Sequence, residues 1–229
     1  MRVHHASFAL EPRSEWLVRA SGASKRATQL RDVPETRFAR AWFLQVSERY
    51  DEAIAAYRAV ASAAERDDVT AIQVASFALN NTGWILMDRL DDPARARESL
   101  AQALALRPNK MIHANLGELG RRAEDFPRAI QMYEAALDLD PLYVNGLNEL
   151  GIVYLSSAAG ASSEGQPSAR RASIERAYSY HSEALSLVAE PEQQDRLADR
   201  FDQARRASGL SDDEVRTEAE RARAYRGSH

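Results

Sequence analysis

The side chains in this 229-residue chain that could do chemistry are five histidines, three tryptophans and a few clustered acids and bases. His4 and His5 are adjacent and could bind a metal ion, but a pair near a terminus with no further ligand beside it is not read as a site. His113 and His181 each stand alone. A catalytic or ligating imidazole needs a base or a ligand partner, so both read as packed side chains on helix faces. Glu118, Arg121 and Glu149 could form a polar cluster, which reads as salt bridging. Arg121 with Arg122 could hold one acidic group, or could simply be a solvated face. There is no phosphate-binding loop, nucleophile elbow or histidine–glutamate zinc helix. With no cysteine, disulfides, thiol catalysis and cysteine-ligated zinc are excluded. The expectation is a chain that is not an enzyme, with no metal and no cofactor.

What remains is recognition, and the elements that would position it are legible. Gly83, Gly117 and Gly151 are spaced by 34 residues, and each closes a short motif: Leu79–Gly83, His113–Gly117 and Leu147–Gly151. Glycine inside a helix costs about 1 kcal/mol relative to alanine. Accepting that cost three times in register implies that two helices approach closely at each one. A period of this size marks stacked helical hairpins.

Within one period, residues 111–122 read as a first helix and Asp125–Leu139 as a second. The second carries Phe126, Ala129, Ile130, Tyr133, Ala136 and Leu137 on one face. Pro141 ends it, because proline lacks an amide donor and restricts its predecessor. The preceding unit repeats the design, with its second helix from about Pro93 to Leu106. Ala96, Leu100, Ala103 and Pro108 lie 33 residues before Ala129, Tyr133, Ala136 and Pro141.

These residues resemble the tetratricopeptide repeat (TPR) family, in which small residues mark the helix crossing, a large side chain packs between the helices and a proline closes the unit. Asn115-Leu116-Gly117, Phe126, Ala129, Tyr133, Ala136 and Asp140-Pro141 carry the likeness, which is strong over 76–141 and extends over roughly 34–190. It implies an all-α, TPR-type α-solenoid of about four helical hairpins. The first unit departs from the pattern. Ala41 stands where the glycine would be, and Ala53 to Ala96 spans 43 residues, with extra turns around Ala61–Thr70. In the last unit Ser156–Ala169, rich in Ser, Gly and Ala, reads as a flexible loop inserted between the two helices. After Pro191, residues 192–207 read as a polar capping helix, since solenoid ends lack a neighbour. Gly209 is read as its stop and Ser211–Glu214 as the next capping box. The expected organisation is a basic N-terminal segment over 1–33, an array over 34–190, and capping helices with a tail over 191–229.

Charge narrows the partner. The net charge of −4 is uneven: residues 1–40 balance at +4 and residues 41–190 at −7. An acidic array argues against nucleic acid, which needs clustered positive charge. No apolar run approaches the ~18 residues of a membrane span. The N-terminus is too short and polar for a secretory signal, so the expected location is the cytoplasm. Abundant alanine and arginine with only two lysines point to a GC-rich bacterial genome. The oligomeric state is not readable.

The helical period lets groove-facing residues lie one, two, three or six places before the glycine, or one or four after. The TPR likeness favours six, three and two before, and one and four after. It implies a partner-binding groove that includes Phe38, Trp42, Phe77, Asn80, Asn81, Trp84, Asn115, Glu118, Arg121, Asn145, Asn148 and Glu149. Gln45 falls in the same register of the first unit. Trp42 and Trp84 each follow a crossing residue by one place, and Asn81 and Asn115 precede one by two. Asparagine is a poor helix former, and its amide can both donate to and accept from an extended backbone. The tryptophans could equally pack between hairpins, and the asparagines could bond neighbouring turns. The carboxylate-clamp type of the family wants asparagine just after the glycine, where Trp84, Glu118 and Ile152 stand. The resulting expectation is a protein–protein interaction module or scaffold that takes a neutral-to-basic peptide or helix. The alternatives are a ligand-sensing regulatory protein acting on an effector and, last, an enzyme with a groove active site.

Overall fold

The computed structural model describes residues 33–65, 67–163 and 167–210. Among them the chain is helical, with no strand: α1 Pro34–Val46, α2 Tyr50–Ser62, α3 Val69–Asp88, α4 Pro93–Leu106, α5 Lys110–Arg122, α6 Phe126–Leu139, α7 Val144–Ser163, α8 Pro167–Ser186 and α9 Pro191–Ala207. The chain divides after Pro108 into two compact units.

Helix starts follow local chemistry. Asp68 accepts from the amides of Thr70 and Ala71 to open α3, and Asn109 accepts from Met111 and Ile112 to open α5. Each satisfies amides that have no partner within the helix. Asp92 and Asp125 cap α4 and α6 through Arg95 and Arg128. The turns before α2, α4 and α6 each carry a non-glycine residue in the left-handed region: Glu48 (φ 62°), Asp91 (φ 53°) and Glu124 (φ 57°).

In the first unit α1 packs on α2, α3 on α2 and α4, and α1 also meets α3. Its core holds Ala41, Ala53, Tyr57, Ala75, Leu86, Ala96 and Leu100. A Cβ on Gly83 would sit 2.6 Å from Leu100 Cγ and 3.2 Å from the Ala96 carbonyl oxygen, which accounts for the glycine. The long Ala53–Ala96 interval is absorbed by α3, whose 20 residues begin at Val69. Its Ser76 hydroxyl donates to the carbonyls of Ala103 (3.2 Å) and Arg107 (3.1 Å), holding the end of α4.

In the second unit α5 packs on α6, α6 on α7, α7 on α8, and α9 on both α7 and α8. Here a Cβ on Gly117 would stand 2.8 Å from the Tyr133 ring, and one on Gly151 would stand 2.8 Å from the Ala177 carbonyl oxygen. The expected loop over 156–169 is corrected. Residues 156–163 continue α7, and α8 begins at Pro167. Alanine is the best helix former, and the extension is packed rather than dangling. Ala158 is fully buried, and Arg170 donates to its carbonyl at 3.3 Å. The hairpin lengthens in both helices at once.

Helix α9 begins and ends as expected, with Gly209 at φ +67° beyond its C-cap Ser208. It is not purely polar: Phe201 is 3% exposed and joins the core with Tyr154, Ile174 and Ala177. The second capping box, Ser211–Glu214, and the 1–32 segment lie outside the described residues.

Candidate functional site

In the first unit, α1 and α3 present Phe38, Trp42, Phe77, Asn81 and Trp84 half-buried. Aromatic side chains left partly open in this way offer large contact area at low entropic cost. Tyr57 reaches up from α2 between the two helices. Its ring lies against Phe38 with centroids 5.3 Å apart. Its hydroxyl donates to Gln45 Oε1 at 2.8 Å and accepts from Asn81 Nδ2 at 3.0 Å. Burial pushes the phenol's pKa up, against a smaller opposing effect of the Asn81 hydrogen bond, so the hydroxyl keeps its proton. Trp84 carries the Arg89 guanidinium 5.0 Å from its ring centroid, a cation–π arrangement. Asn80 is 2% exposed. Its expected place on an accessible face is therefore corrected: facing α3's packed side, it is beyond a partner's reach.

In the second unit the polar candidates are largely occupied by one another. Glu118 is 6% exposed and accepts from Arg121 Nε and Nη2 and from Arg122 Nε, each at 2.7 Å. Burial alone would raise its pKa. The two arginines outweigh burial and hold the carboxyl at about 2. Arg121, half-buried, is raised above its ordinary value mainly by its hydrogen bond to Glu118. Glu149 meets Arg200 of α9 at 2.5 Å. Asn115 is half-buried and Asn145 exposed.

Asn148 is 1% exposed, with its Oδ1 2.8 Å from His181 Nδ1. Expected in the groove, Asn148 and Glu118 are corrected to interior positions. The His181 ring in turn stacks on Phe201 at 4.0 Å and 6° from parallel. Burial lowers the His181 pKa to about 4, so the imidazole is neutral near pH 7. His113 is also pushed down by burial, and its Nδ1 is buried with no hydrogen-bond partner. Among the described residues no group of three or more His, Asp or Glu side chains could hold a metal ion, and no helix is long and apolar enough to cross a membrane.

The sequence placed Gln45 in the groove register, and Tyr57 follows Ala53 by four residues, as Tyr133 follows Ala129. It gave no sign that the two bond to each other and to Asn81. Nor did it link Asn148 with His181, 33 residues apart, or Glu149 with Arg200. The only available signal was their spacing from Ala41, Gly83 and Gly151.

No family model matches the chain, and no curated protein does. Solved structures do. BtubC (BKLC) from P. vanneervenii is 17% identical, covers 95% of this chain and 92% of its own, and has a TM-score of 0.60. PilW, a type IV pilus biogenesis factor, is 18% identical over 90% of this chain and 91% of its own, with a TM-score of 0.52. An IFIT1 monomeric mutant with m7Gppp-AAAA is 14% identical over 91% of this chain and 54% of its own, with a TM-score of 0.51. At these identities the likeness is one of fold. Together with the repeated hairpins and the glycines at their crossings, it makes this chain an all-α solenoid of the tetratricopeptide-repeat type.

Proposed function

We propose that the chain is a non-catalytic interaction module that takes an extended segment of a protein partner on the α1/α3 face of its first unit. The observation that carries this reading is the set of half-open aromatics, Phe38, Trp42, Phe77 and Trp84, on two helices in contact. Side chains of this kind dominate binding energy where a partner covers them. The charged groups of the second unit support a non-catalytic role. A carboxyl held at about 2 by two arginines is no proton carrier near neutrality. The excess of acid over base across 41–190 favours a neutral-to-basic segment and disfavours a phosphate backbone. The cytoplasm and a bacterial source are part of the same reading.

The test begins with capture of partners from native cells, then measures affinity for the purified partner by calorimetry. Trp42→Ala with Trp84→Ala is expected to weaken binding at least tenfold while the far-ultraviolet circular dichroism spectrum stays unchanged. Equal affinity for the double variant discards this face. Tighter binding of an RNA oligonucleotide than of the protein partner discards the class of ligand. A regulatory role is favoured by one feature, the lengthened first repeat. It predicts a ligand-dependent change in scattering radius, which a passive scaffold lacks.

A further inference from the structure

In the three later units the residue two places past the helix crossing is apolar and sealed. It is Ile85 in α3, Leu119 in α5 and Val153 in α7, each at 3% exposure or less. Helix α3 packs on α2, and α7 packs on α6, in both cases the second helix of the hairpin before. In α1 the same register, two past Ala41, holds Phe43. A helix turns about 100° per residue, so Phe43 lies about 200° around α1 from the buried Ala41, with Ala39 and Val46 to either side. All three are half-buried. Helix α1 is packed by α2 and α3, and among the described residues no helix precedes it.

The end units of a solenoid carry polar outer faces, because nothing stacks on them. The far end obeys this: α9 exposes Asp195, Arg196, Asp199, Gln203 and Arg206. Helix α1 instead turns Phe43 outward, in the register that every later unit seals.

We infer that residues 1–32, which lie outside the described residues, dock on this outer face of α1 through Trp16-Leu17-Val18 and take the place of a preceding hairpin. The segment joins α1 directly at its N-cap, Val33. Val18 stands 15 residues before that cap, far enough for the chain to fold back. A tether of this length supplies an effective concentration on the order of millimolar. Tryptophan is also the side chain that gains most from a covered apolar surface. Charge points the same way, since a balance of +4 over residues 1–40 meets one of −7 over 41–190.

A second copy of the chain is the rival occupant, and size disfavours it. A helix of 13 residues is about 20 Å long and about 10 Å wide, well short of the ~800 Å2 per partner that a stable interface buries. Head-to-tail stacking would set Phe43 against the charged face of α9. The outer face of α1 is distinct from the α1/α3 face, and its occupant is independent of any partner taken there.

The chain has no cysteine, so Arg40→Cys, at an exposed position three residues before Phe43, gives one site for a nitroxide spin label. NMR of the full isotope-labelled chain then reads the indole N–H signals of Trp16, Trp42 and Trp84, with Trp16 identified by its loss in Trp16→Ser. The Trp16 signal is expected to lose at least half its intensity with the nitroxide oxidised, relative to reduced. A mixture of isotope-labelled wild type and spin-labelled chain without isotope should show no such loss. In urea unfolding, Trp16→Ser and Phe43→Ser should each lower the midpoint. The double variant should lower it no further than the larger single change, because contacting residues do not act additively.

Full Trp16 intensity beside the label, or midpoint shifts that simply add, overturns the docking. An equal loss of Trp16 intensity in the mixed sample overturns the choice of occupant and assigns the face to a second copy. Should Phe43→Ser fail to fold, the spin-label readout decides alone.

Discussion

The rings of His181 and Phe201 lie face to face, with centroids 4.0 Å apart and planes within 6°. This contact joins the last hairpin to the helix that closes it. His181 occupies the second-helix position where the other units carry Tyr133 and Leu100, and Phe201 arrives from α9 to cover it. Tyr178 meets the same phenylalanine edge-on at 5.1 Å. A helix that looks polar in sequence is thus held by one buried aromatic.

Phe201→Ala is expected to destabilise the protein by about 3–4 kcal/mol, the cost of deleting a buried aromatic and leaving a cavity. Urea unfolding checks the magnitude. Hydrogen exchange should show loss of protection concentrated in α9 and the adjoining ends of α7 and α8, with the first unit unaffected.

Acid should act through His181. Burial lowers its pKa from 6.5 to about 4, so the unfolded chain binds more protons than the folded one between those values. The sign follows: this stabilisation is fully present above pH 6.5 and is lost as pH falls toward 4. The melting temperature of the wild type should fall by about 3 °C or more across that window. His181→Phe, which cannot titrate, should lose that part of the dependence. A melting temperature equally pH-dependent in both proteins would contradict the assignment.

Glu118→Gln removes the negative charge that both Arg121 and Arg122 contact at 2.7 Å. The arginines retain some exposure, so the loss is moderated by water. A cost of about 1–3 kcal/mol is expected, between that of an exposed ion pair and a sealed one. Because the carboxyl sits at about 2 when folded, its contribution is present above its ordinary pKa of 4.5 and disappears as pH falls through 2. The variant should therefore lose stability at pH 7 and converge on the wild type in strong acid, as read by denaturant midpoints.

Glu124 holds φ at 57° in the α5–α6 turn, a conformation that is costly for a residue with a Cβ. Glu124→Gly should stabilise by about 0.5–1 kcal/mol, since relief of strain exceeds the added freedom of the unfolded chain. The same change at Gln131, an exposed residue inside α6, should destabilise. The pair of melting curves separates backbone strain from a general glycine effect.

Much of the fold was readable because its determinants are local or periodic. Asp92, Asp125 and Asn109 cap helices through amides two or three residues away. Pro108 and Pro141 close units through their own geometry, and Gly83, Gly117 and Gly151 report helix crossings by recurring in step. The 156–169 stretch was misread for the same reason. Serine, glycine and alanine in a row look like a loop when only near neighbours are considered, but Ala158 and Ile174 are buried where the two lengthened helices pair.

The candidate site divides in the same way. The register, read through the TPR likeness, put Trp42, Trp84, Asn81 and Gln45 on one face. Whether a given polar side chain on that register is open or consumed depends on which residue of another helix reaches it. Tyr57 ties Gln45 to Asn81, His181 takes Asn148, and Arg200 takes Glu149. These partners lie 12 to 51 residues apart in the chain, and no periodic pattern encodes their meeting. Repetition, capping and helix breaking act along the chain and are written in it. Burial and hydrogen-bond pairing arise only when separate helices come together in three dimensions, so tertiary packing decided which polar groups remain available to a ligand.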